Sequence, residues 1–337
     1  MPAGDYFGWA VCGKYITREM AKLAHVKYVQ GPFKAVGEAT TDLVTKYWLD
    51  TISTNKVTED DAIVFQTMNP DFSVAMPELQ GRYNIGYTFF ETSTLDNTQI
   101  RNAGKLDLVI AGSAWCGKIL DRCNIRNKVV IQGVDQRLFN SNLSDKQILK
   151  DKFVIYSGGK FEQRKGQDIV IRAFKKMHDK YDNVILMANW FNIFDDSVSE
   201  ELFNENFKRF SLDPKRIILL RPDAHNAMPY YFQNTDVGLF PSRVEGGTNL
   251  VMMEYMACGK PVVATNLTGH MDVLTDNNSF MMNKADPEEA FTLLEYVYKN
   301  REEATQVAMY GSEEMTFDCT WERTAKQFLY YFDRLVG

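Results

Sequence analysis

The sequence predicts an α/β protein made of two doubly wound, mainly parallel sheets. Three observations predict this class. Short apolar runs alternate with longer segments of helical period, the runs are rich in β-branched residues, and the chain of 337 residues is long for a single hydrophobic core. Hydrophobic residues make up 45% of the chain and charged residues 24%, which is the composition of a folded globular protein.

The first half of the chain contains five candidate strands. They are the apolar runs at 26–29, 62–66, 84–90, 106–112 and 128–132. Two further segments, 13–24 and 35–52, have apolar residues recurring every three and four positions, which predicts helices. The order of these elements favours a parallel sheet.

The second half shows the same alternation more regularly. Its six candidate strands are the runs at 153–157, 183–190, 216–220, 236–240, 260–265 and 279–282. Continuous apolar runs of this length are typical of buried parallel strands, and the helices between them would form right-handed crossovers. We therefore expect a doubly wound domain here.

Three helices are expected after the last strand, at 287–299, 301–314 and 320–335, with no strand between them. They indicate a tail outside the sheet, and a return of the last helix to the first domain stays open. The polar segment 139–151 is the expected junction between the domains. The predicted division is an amino-terminal domain at 1–148, a second domain at 149–318 and a crossover helix at 319–337.

Composition excludes several functional classes. A formal charge of −6 gives no electrostatic reason to expect nucleic acid as the main partner. The five cysteines never form a CxxC pair, which favours reduced thiols over a disulfide frame or structural zinc. Neither a signal peptide nor an apolar run of about 20 residues is found, so we expect a cytoplasmic protein without a transmembrane segment, either free or peripheral at a membrane. The oligomeric state stays open.

A glycine-rich basic loop follows the first strand of the second half. Gly158 and Gly159 end the strand, and Lys160, Arg164 and Lys165 follow before a helix begins near residue 167. Glycines let backbone N–H groups approach an anion, and cations at the carboxyl end of a strand suit a phosphate. A solvated basic turn is the alternative. The loop matches neither a Walker A motif nor GxGxxG.

A second motif, EGGTNLVMME (245–254), follows the strand at 236–240. Its glycines lead into a helix that Thr248 or Asn249 can cap, and the positive end of that helix would favour phosphate. Glu254 lies within the helix, either on a solvent-exposed stripe or directed at a ligand. Because both motifs follow strands of one parallel sheet, we expect them at one edge, where a phosphate-bearing donor with a polyhydroxy group would use all these groups.

Three segments together resemble the retaining GT-B glycosyltransferases of the glycosyl transferases group 1 family, which includes bacterial mannosyltransferases and sucrose and trehalose-phosphate type synthases. They are GVDQRLF (133–139), SGGKFEQRKGQD (157–168) and DVGLFPSRVEGGTNLVMMEYMACGKPVVATNLTGH (236–270), and the resemblance covers roughly 106–285. It implies two Rossmann-like domains facing across a cleft, with a nucleotide-sugar donor in the second domain and the acceptor in the first. It also implies that no metal or other cofactor is required.

The resemblance assigns roles to individual residues. Lys160 stands at the position of the family's arginine and Lys165 at that of its lysine, so both would contact the donor diphosphate, with Arg164 compensating for the lost guanidinium fork. Glu254 would bind the nucleotide ribose and Glu245 the transferred sugar, although one extra residue separates them here. The implied catalytic residues are Glu245, Lys160 and Lys165. The other implied donor-binding residues are Gly159, Arg164, Gly247, Thr248, Asn249, Leu250 and Glu254, with Arg221 and Pro222 near the base.

The first domain resembles the family least. Only seven residues precede Gly8, so the family's first strand is expected to be missing or very short. The candidates for lining the cleft are Gly8, Trp9, Glu91, Ser113, His225 and His270, and neither histidine is assigned as a catalyst.

The resulting hypothesis is a metal-independent hexosyl- or pentosyltransferase. Its acceptor would be a hydroxyl of a glycan, a glycolipid or a small molecule. A catalytically silent sugar-nucleotide or glycan-binding module is the alternative, favoured by the short amino-terminal end and the altered glutamate spacing. An NAD-dependent enzyme is disfavoured because GxGxxG is missing from both halves.

Overall fold

The computed structural model describes residues 1–5, 7–29, 43–54, 61–143, 145–192 and 200–337, with the backbone alone described for residues 200–202, 204 and 206. The described chain forms two parallel sheets, one in each half, with helices packed on both faces. The predicted α/β class is therefore confirmed.

The first sheet has the strand order β1-β2-β3-β4, and all its pairs are parallel. The four strands are β1 (Ile63–Thr67), β2 (Tyr83–Thr88), β3 (Leu108–Ala111) and β4 (Asn127–Val129). The helices of this half are α1 (Gly8–Ala21), α2 (Leu43–Ile52), α3 (Asn97–Ala103) and α4 (Ala114–Arg122). In the described part of the amino terminus, residues 1–5 and 7, no strand precedes α1.

The strand expected at 26–29 is wrong. Only Tyr28 pairs there, in an isolated parallel bridge with Ser53. The reason is local, because Tyr28 exchanges backbone hydrogen bonds with Ile52 and Thr54 at the end of α2 and so lies outside the ladder of the sheet. The helix expected at 35–52 is observed over Leu43–Ile52, and its first eight residues lie outside the described part of the chain.

The second sheet has the order β10-β9-β8-β5-β6-β7, again with parallel pairs throughout. All six expected strands are confirmed: β5 (Phe153–Lys160), β6 (Val184–Phe191), β7 (Ile217–Leu219), β8 (Val237–Phe240), β9 (Val262–Thr265) and β10 (Phe280–Met282). The helices are α5 (Gln167–Lys180), α6 (Glu200–Arg209), α7 (Met228–Gln233), α8 (Leu250–Ala257), α9 (Pro287–Lys299) and α10 (Arg301–Phe317).

The strand order of the second sheet reverses between β5 and β8. Strands β6 and β7 lie on one side of β5, whereas β8, β9 and β10 lie on the other. In open parallel sheets, the connections diverge at such a switch point and leave a crevice at the carboxyl ends of the strands. The loops after β5 and β8 carry the two sequence motifs and flank this crevice.

The last helix, α11 (Trp321–Val336), returns to the first sheet. Its Phe328 ring centroid lies 4.9 Å from that of Phe65 in β1 and 5.1 Å from that of Tyr87 in β2. Helices α1 and α11 cover this face through one buried cluster, and α3 and α4 cover the opposite face through another. The C-terminal helix therefore completes the core of the first half of the chain.

Candidate functional site

The loop after β5 turns back against the loop after β8. Gly166 adopts φ 74°, a left-handed conformation that favours glycine. A Cβ atom at Gly166 would lie 2.3 Å from the carbonyl oxygen of Pro241, so only glycine allows this approach. The turn Gln163–Lys165 thereby brings two cationic side chains to the start of the EGGTN segment.

The Glu245 carboxylate is the centre of this arrangement and is 4% exposed. Lys165 Nζ and the Ser242 hydroxyl both donate to Oε1, at 2.6 Å, and Arg164 Nη1 donates to Oε2 at 2.9 Å. Burial raises the pKa of Glu245, but the charges of Lys165 and Arg164 outweigh it and bring this pKa to about 2. Glu245 is therefore ionised at neutral pH.

His270 lies behind Glu245 and is fully buried, with its Nε2 atom 4.0 Å from Glu245 Oε1. Its Nδ1 atom is 2.8 Å from the carbonyl oxygen of Thr265, and its Nε2 atom is 3.1 Å from the amide nitrogen of Asn249. A carbonyl only accepts and an amide N–H₂ only donates, so these partners assign the neutral Nδ1–H tautomer. Burial lowers the pKa of His270, in agreement with a neutral ring.

The remaining cation of the β5 loop lies farther along the same network. Lys160 Nζ is 2.5 Å from Glu162 Oε1, and the Arg164 Nε atom is 2.8 Å from the other oxygen of Glu162. Arg164 Nη2 also lies 3.5 Å from Glu91, which follows β2 of the first sheet. Arg164 therefore connects both halves of the chain, and Lys160 contacts Glu162.

The Gly246–Gly247 loop is docked on the first sheet. The Ser113 hydroxyl donates to the Gly246 carbonyl oxygen at 2.7 Å, and the Ala114 N–H donates to Asp272 at 2.7 Å. A Cβ atom at Gly246 would lie 2.5 Å from the carbonyl oxygen of Phe90, so the loop lies directly against the end of β2. The residue following Glu245 is thus fixed by the opposite half of the chain.

Helix α8 begins without a side-chain cap, contrary to the expectation for Thr248 and Asn249. Asn249 occupies the N-cap position with φ 61° and makes no capping hydrogen bond, because its amide is directed to His270. Thr248 donates from both its N–H and its hydroxyl to Gln132 Oε1, each at 3.3 Å. The positive end of α8, which starts at Leu250, is therefore not neutralised by its own N-cap side chain.

Glu254 is directed inward, and the alternative of a solvent-exposed stripe is wrong. It is 3% exposed, and its Oε1 atom lies 2.5 Å from His225 Nε2. The Nδ1 atom of His225 is 3.5 Å from the hydroxyl of Tyr15 in α1. This buried row of three side chains links α8 to the first half of the chain.

The other expected residues lie at the rim. Gly8 is the exposed first residue of α1, and the Trp9 ring packs 4.5 Å from that of Phe89, between centroids. Arg221 and Pro222 are exposed and follow β7. Gly159, with φ 127°, lies at the end of β5 close to the Lys165 side chain.

Four contributing residues were not predicted from the sequence: Ser242, Gln132, Thr268 and Asp272. Ser242 comes two positions after β8, at the edge where the site was expected, so its position was a usable signal. The Thr268 hydroxyl accepts from the Glu245 N–H at 2.8 Å, across 23 positions of sequence. Such long-range contacts have no local sequence signature.

Among the residues that the structure describes, no group of three or more His, Cys, Asp and Glu side chains could hold a metal ion. All five cysteines are free. Within the same described ranges, no helix combines the length and the apolar character that a membrane span requires.

Sequence comparison identifies the family of the second half. The family model described as Glycosyl transferases group 1 matches residues 140–314, which is more than half of the chain. The capsular polysaccharide biosynthesis glycosyltransferase CapM of Staphylococcus aureus is 30% identical over 154 residues. The matched stretch is 44% of this chain and 38% of CapM, so it spans less than half of that relative.

Solved structures match the whole fold. HepE from Anabaena in complex with UDP-glucose superposes with a TM-score of 0.78 at 18% identity, covering 99% of this chain and 98% of HepE. Sucrose-phosphate synthase from Thermosynechococcus elongatus has a TM-score of 0.74 at 14% identity, covering 100% and 96% of the two chains. At these identities the likeness concerns the fold, and it confirms the expected GT-B architecture.

Proposed function

This chain belongs to the glycosyl transferases group 1 family, and from that membership we propose that it transfers a sugar from a nucleoside diphosphate sugar to a hydroxyl acceptor, with retention of anomeric configuration. One observation carries the proposal. The buried Glu245 carboxylate is held by Lys165 and Arg164 at the switch point of the second sheet, where cations and a hydroxyl-binding group suit a diphosphate sugar.

The donor we propose is a UDP-sugar. The likeness in fold to HepE, which was solved with UDP-glucose, supports this choice. Lys165, Arg164 and the uncapped start of α8 suit the diphosphate, because cations and the positive end of a helix both attract phosphate. Glu254 is within reach of the same crevice from inside α8 and suits the ribose hydroxyls.

In the proposed reaction, the bond between the anomeric carbon and the diphosphate oxygen breaks while the acceptor oxygen bonds to the same face of that carbon. The proton of the acceptor hydroxyl passes to the departing diphosphate. Lys165, Arg164 and the α8 dipole stabilise the negative charge that develops there, which is why we propose that no metal is needed. Lys160 would contribute from the rim if the donor displaces it from Glu162.

Glu245 has a supporting role in this scheme. With a pKa of about 2 and three donors on its oxygens, it is a weak base and a weak nucleophile. We therefore assign it to orienting the cations and accepting hydrogen bonds from hydroxyls of the transferred sugar. The acceptor we propose is a carbohydrate or glycolipid hydroxyl, bound on the side of Trp9 and Glu91. The proposed location is the cytoplasm, free or at a membrane surface.

A panel of UDP-, GDP- and ADP-sugars tests the proposal. Thermal shift identifies the donor, and turnover with a set of glycan and glycolipid acceptors follows, with NMR of the product giving the anomeric configuration. Transfer with retention from one donor supports the proposal. Binding of a nucleotide sugar without transfer or hydrolysis would instead identify a silent binding module, and stabilisation by none of the donors would remove the proposal altogether.

A further inference from the structure

Two polar atoms buried beside the switch point have no hydrogen-bond partner within the described residues. They are the hydroxyl of Tyr156, which is 0% exposed, and Oδ1 of Asn189, which is 6% exposed. A buried polar group without a partner costs about 1–3 kcal/mol, so its retention requires a reason. The third such atom in the described chain, Trp321 Nε1, lies at the start of α11.

Both atoms lie towards the carboxyl edge of the second sheet. Tyr156 is in β5, and a Cβ atom at Gly158 would lie 2.2 Å from its hydroxyl, so the phenol extends along the strand towards the edge. Gly158 pairs in register with Asn189 of β6. The two polar groups are therefore neighbours beneath the crevice.

The surroundings of these atoms belong to the donor side of the site. The Tyr156 ring stacks on Tyr255 of α8 with a centroid distance of 5.3 Å, and Tyr255 follows Glu254. The Asn189 amide nitrogen lies 3.5 Å from the sulfur of Met228, at the start of α7 and three residues after His225. The Glu254–His225 pair thus stands beside the two unpartnered atoms.

The chemistry of the pair selects one kind of ligand group. Burial raises the pKa of the Tyr156 hydroxyl, which keeps it protonated and able to donate, whereas Asn189 Oδ1 can only accept. The Asn189 amide is close enough to oppose that rise, but no hydrogen bond forms between the two side chains. A hydroxyl inserted between them would accept from Tyr156 and donate to Asn189, which satisfies both atoms.

We propose that Tyr156 and Asn189 form the floor of the nucleoside site and bind one ribose hydroxyl of the donor, beside the wall formed by Glu254 and His225. This inference rests on the proposed function, because it takes the nucleotide of that function as its ligand. It also accounts for the cost of the two unpartnered atoms, since polar groups that wait for a ligand are retained at the expense of stability.

Calorimetry with UDP, 2′-deoxy-UDP and 3′-deoxy-UDP tests the floor directly. The wild-type protein is expected to bind one of the two deoxy nucleotides about tenfold more weakly than UDP, since one hydrogen bond to a buried group is lost. Tyr156→Phe is expected to bind UDP about tenfold more weakly and to lose that discrimination. Such non-additivity identifies a direct contact between the hydroxyl of the protein and that of the ligand.

Tyr255→Phe is a matched control within the same stacked pair. Its hydroxyl already has a partner, Thr235 Oγ1 at 2.7 Å. Removal of this hydroxyl is therefore expected to lower the melting temperature and to leave the UDP affinity unchanged. Tyr156→Phe, which removes an unpartnered group, is expected to keep or raise the melting temperature of the free protein.

Three results overturn the inference. If Tyr156→Phe binds all three nucleotides as the wild type does, the floor takes no part in recognition. If that variant melts earlier at unchanged affinity, the hydroxyl serves a buried water. If the wild type binds UDP, GDP and ADP not at all, the proposed function fails together with the floor, which separates that failure from the first two.

Discussion

Lys165 Nζ lies 2.6 Å from Glu245 Oε1, although the two residues are 80 positions apart and follow different strands. Arg164 binds the other oxygen of the same carboxylate. Both cations are thus already paired before a phosphate arrives, and a donor diphosphate has to share them with Glu245. The position and charge of this carboxylate therefore control the electrostatics of the site.

Lys165→Ala is expected to weaken UDP binding at least tenfold and to lower turnover by about 100-fold, because one of the charges that meets the departing diphosphate is lost. Calorimetry and initial rates measure the two effects. Lys175→Ala is the matched control, since Lys175 is a lysine of the helix that follows this loop and pairs with Asp179 at the surface. Equal affinity of both variants for UDP would remove Lys165 from the donor site.

Glu245→Gln is expected to separate binding from turnover. Turnover should fall by about 100-fold, because the group that orients the cations and the sugar is lost. The free variant should lose about 3 kcal/mol of stability, since two buried cations lose their counter-charge. UDP should then raise its melting temperature more than that of the wild type, as phosphate replaces the carboxylate. A smaller UDP-induced shift than in the wild type would contradict the proposed sharing of the cations.

The low pKa of Glu245 predicts a dependence of stability on pH. Its pKa falls from an ordinary value of 4.5 to about 2 in the folded protein. A depressed pKa contributes stability above the unfolded value, and this contribution is lost as pH falls from about 4.5 towards 2. Its full size is about 3 kcal/mol. Urea unfolding of wild type and Glu245→Gln between pH 7 and 3 should show curves that converge on acidification, and parallel curves would refute the assignment.

The strands of the second sheet could be predicted because each is a continuous apolar run buried on both faces, as in Phe153–Lys160. The run at 26–29 looked similar but forms only a bridge at Tyr28, because a short apolar segment does not specify whether a neighbouring strand lies within reach. Strand composition alone therefore predicts elements more reliably than pairings.

The site was predictable only in outline. The parallel topology determines that the loops after β5 and β8 meet, so Lys165 and Glu245 could be expected at one edge. Which cation contacts which carboxylate depends on side-chain geometry, and the structure pairs Lys160 with Glu162. The contribution of Gln132 depends on how the two halves dock, which no local pattern encodes.

Ser113→Ala tests whether the first sheet positions the Glu245 loop. It removes the hydrogen bond to the Gly246 carbonyl and also the cap that accepts from the Cys116 N–H. We expect turnover to fall about tenfold with UDP affinity within twofold, because the loop is displaced while the cations stay in place. Stability should fall by about 1 kcal/mol through the lost cap.

Asp96→Ala separates the two roles of Ser113. Asp96 caps α3 in the same half of the chain by accepting from two backbone N–H groups, at a distance from the Gly246 loop. This variant should lose similar stability and keep its turnover. If both variants reduce turnover equally, the effect of Ser113 is a general loss of stability.

Gly246→Ala and Gly8→Ala contrast two glycines that the sequence placed near the donor. At Gly246 a Cβ atom would lie 2.5 Å from one backbone atom of Phe90 and 2.6 Å from another, so the two halves must separate there. Stability should fall by about 1–3 kcal/mol, with a matching loss of turnover. At Gly8 a Cβ atom would meet nothing within 4 Å, and alanine should keep stability or raise it by up to about 1 kcal/mol. Since Gly8→Ala disturbs no protein contact, any loss of UDP-sugar affinity in that variant reports a direct contact between Gly8 and the donor, whereas unchanged affinity removes Gly8 from the donor site.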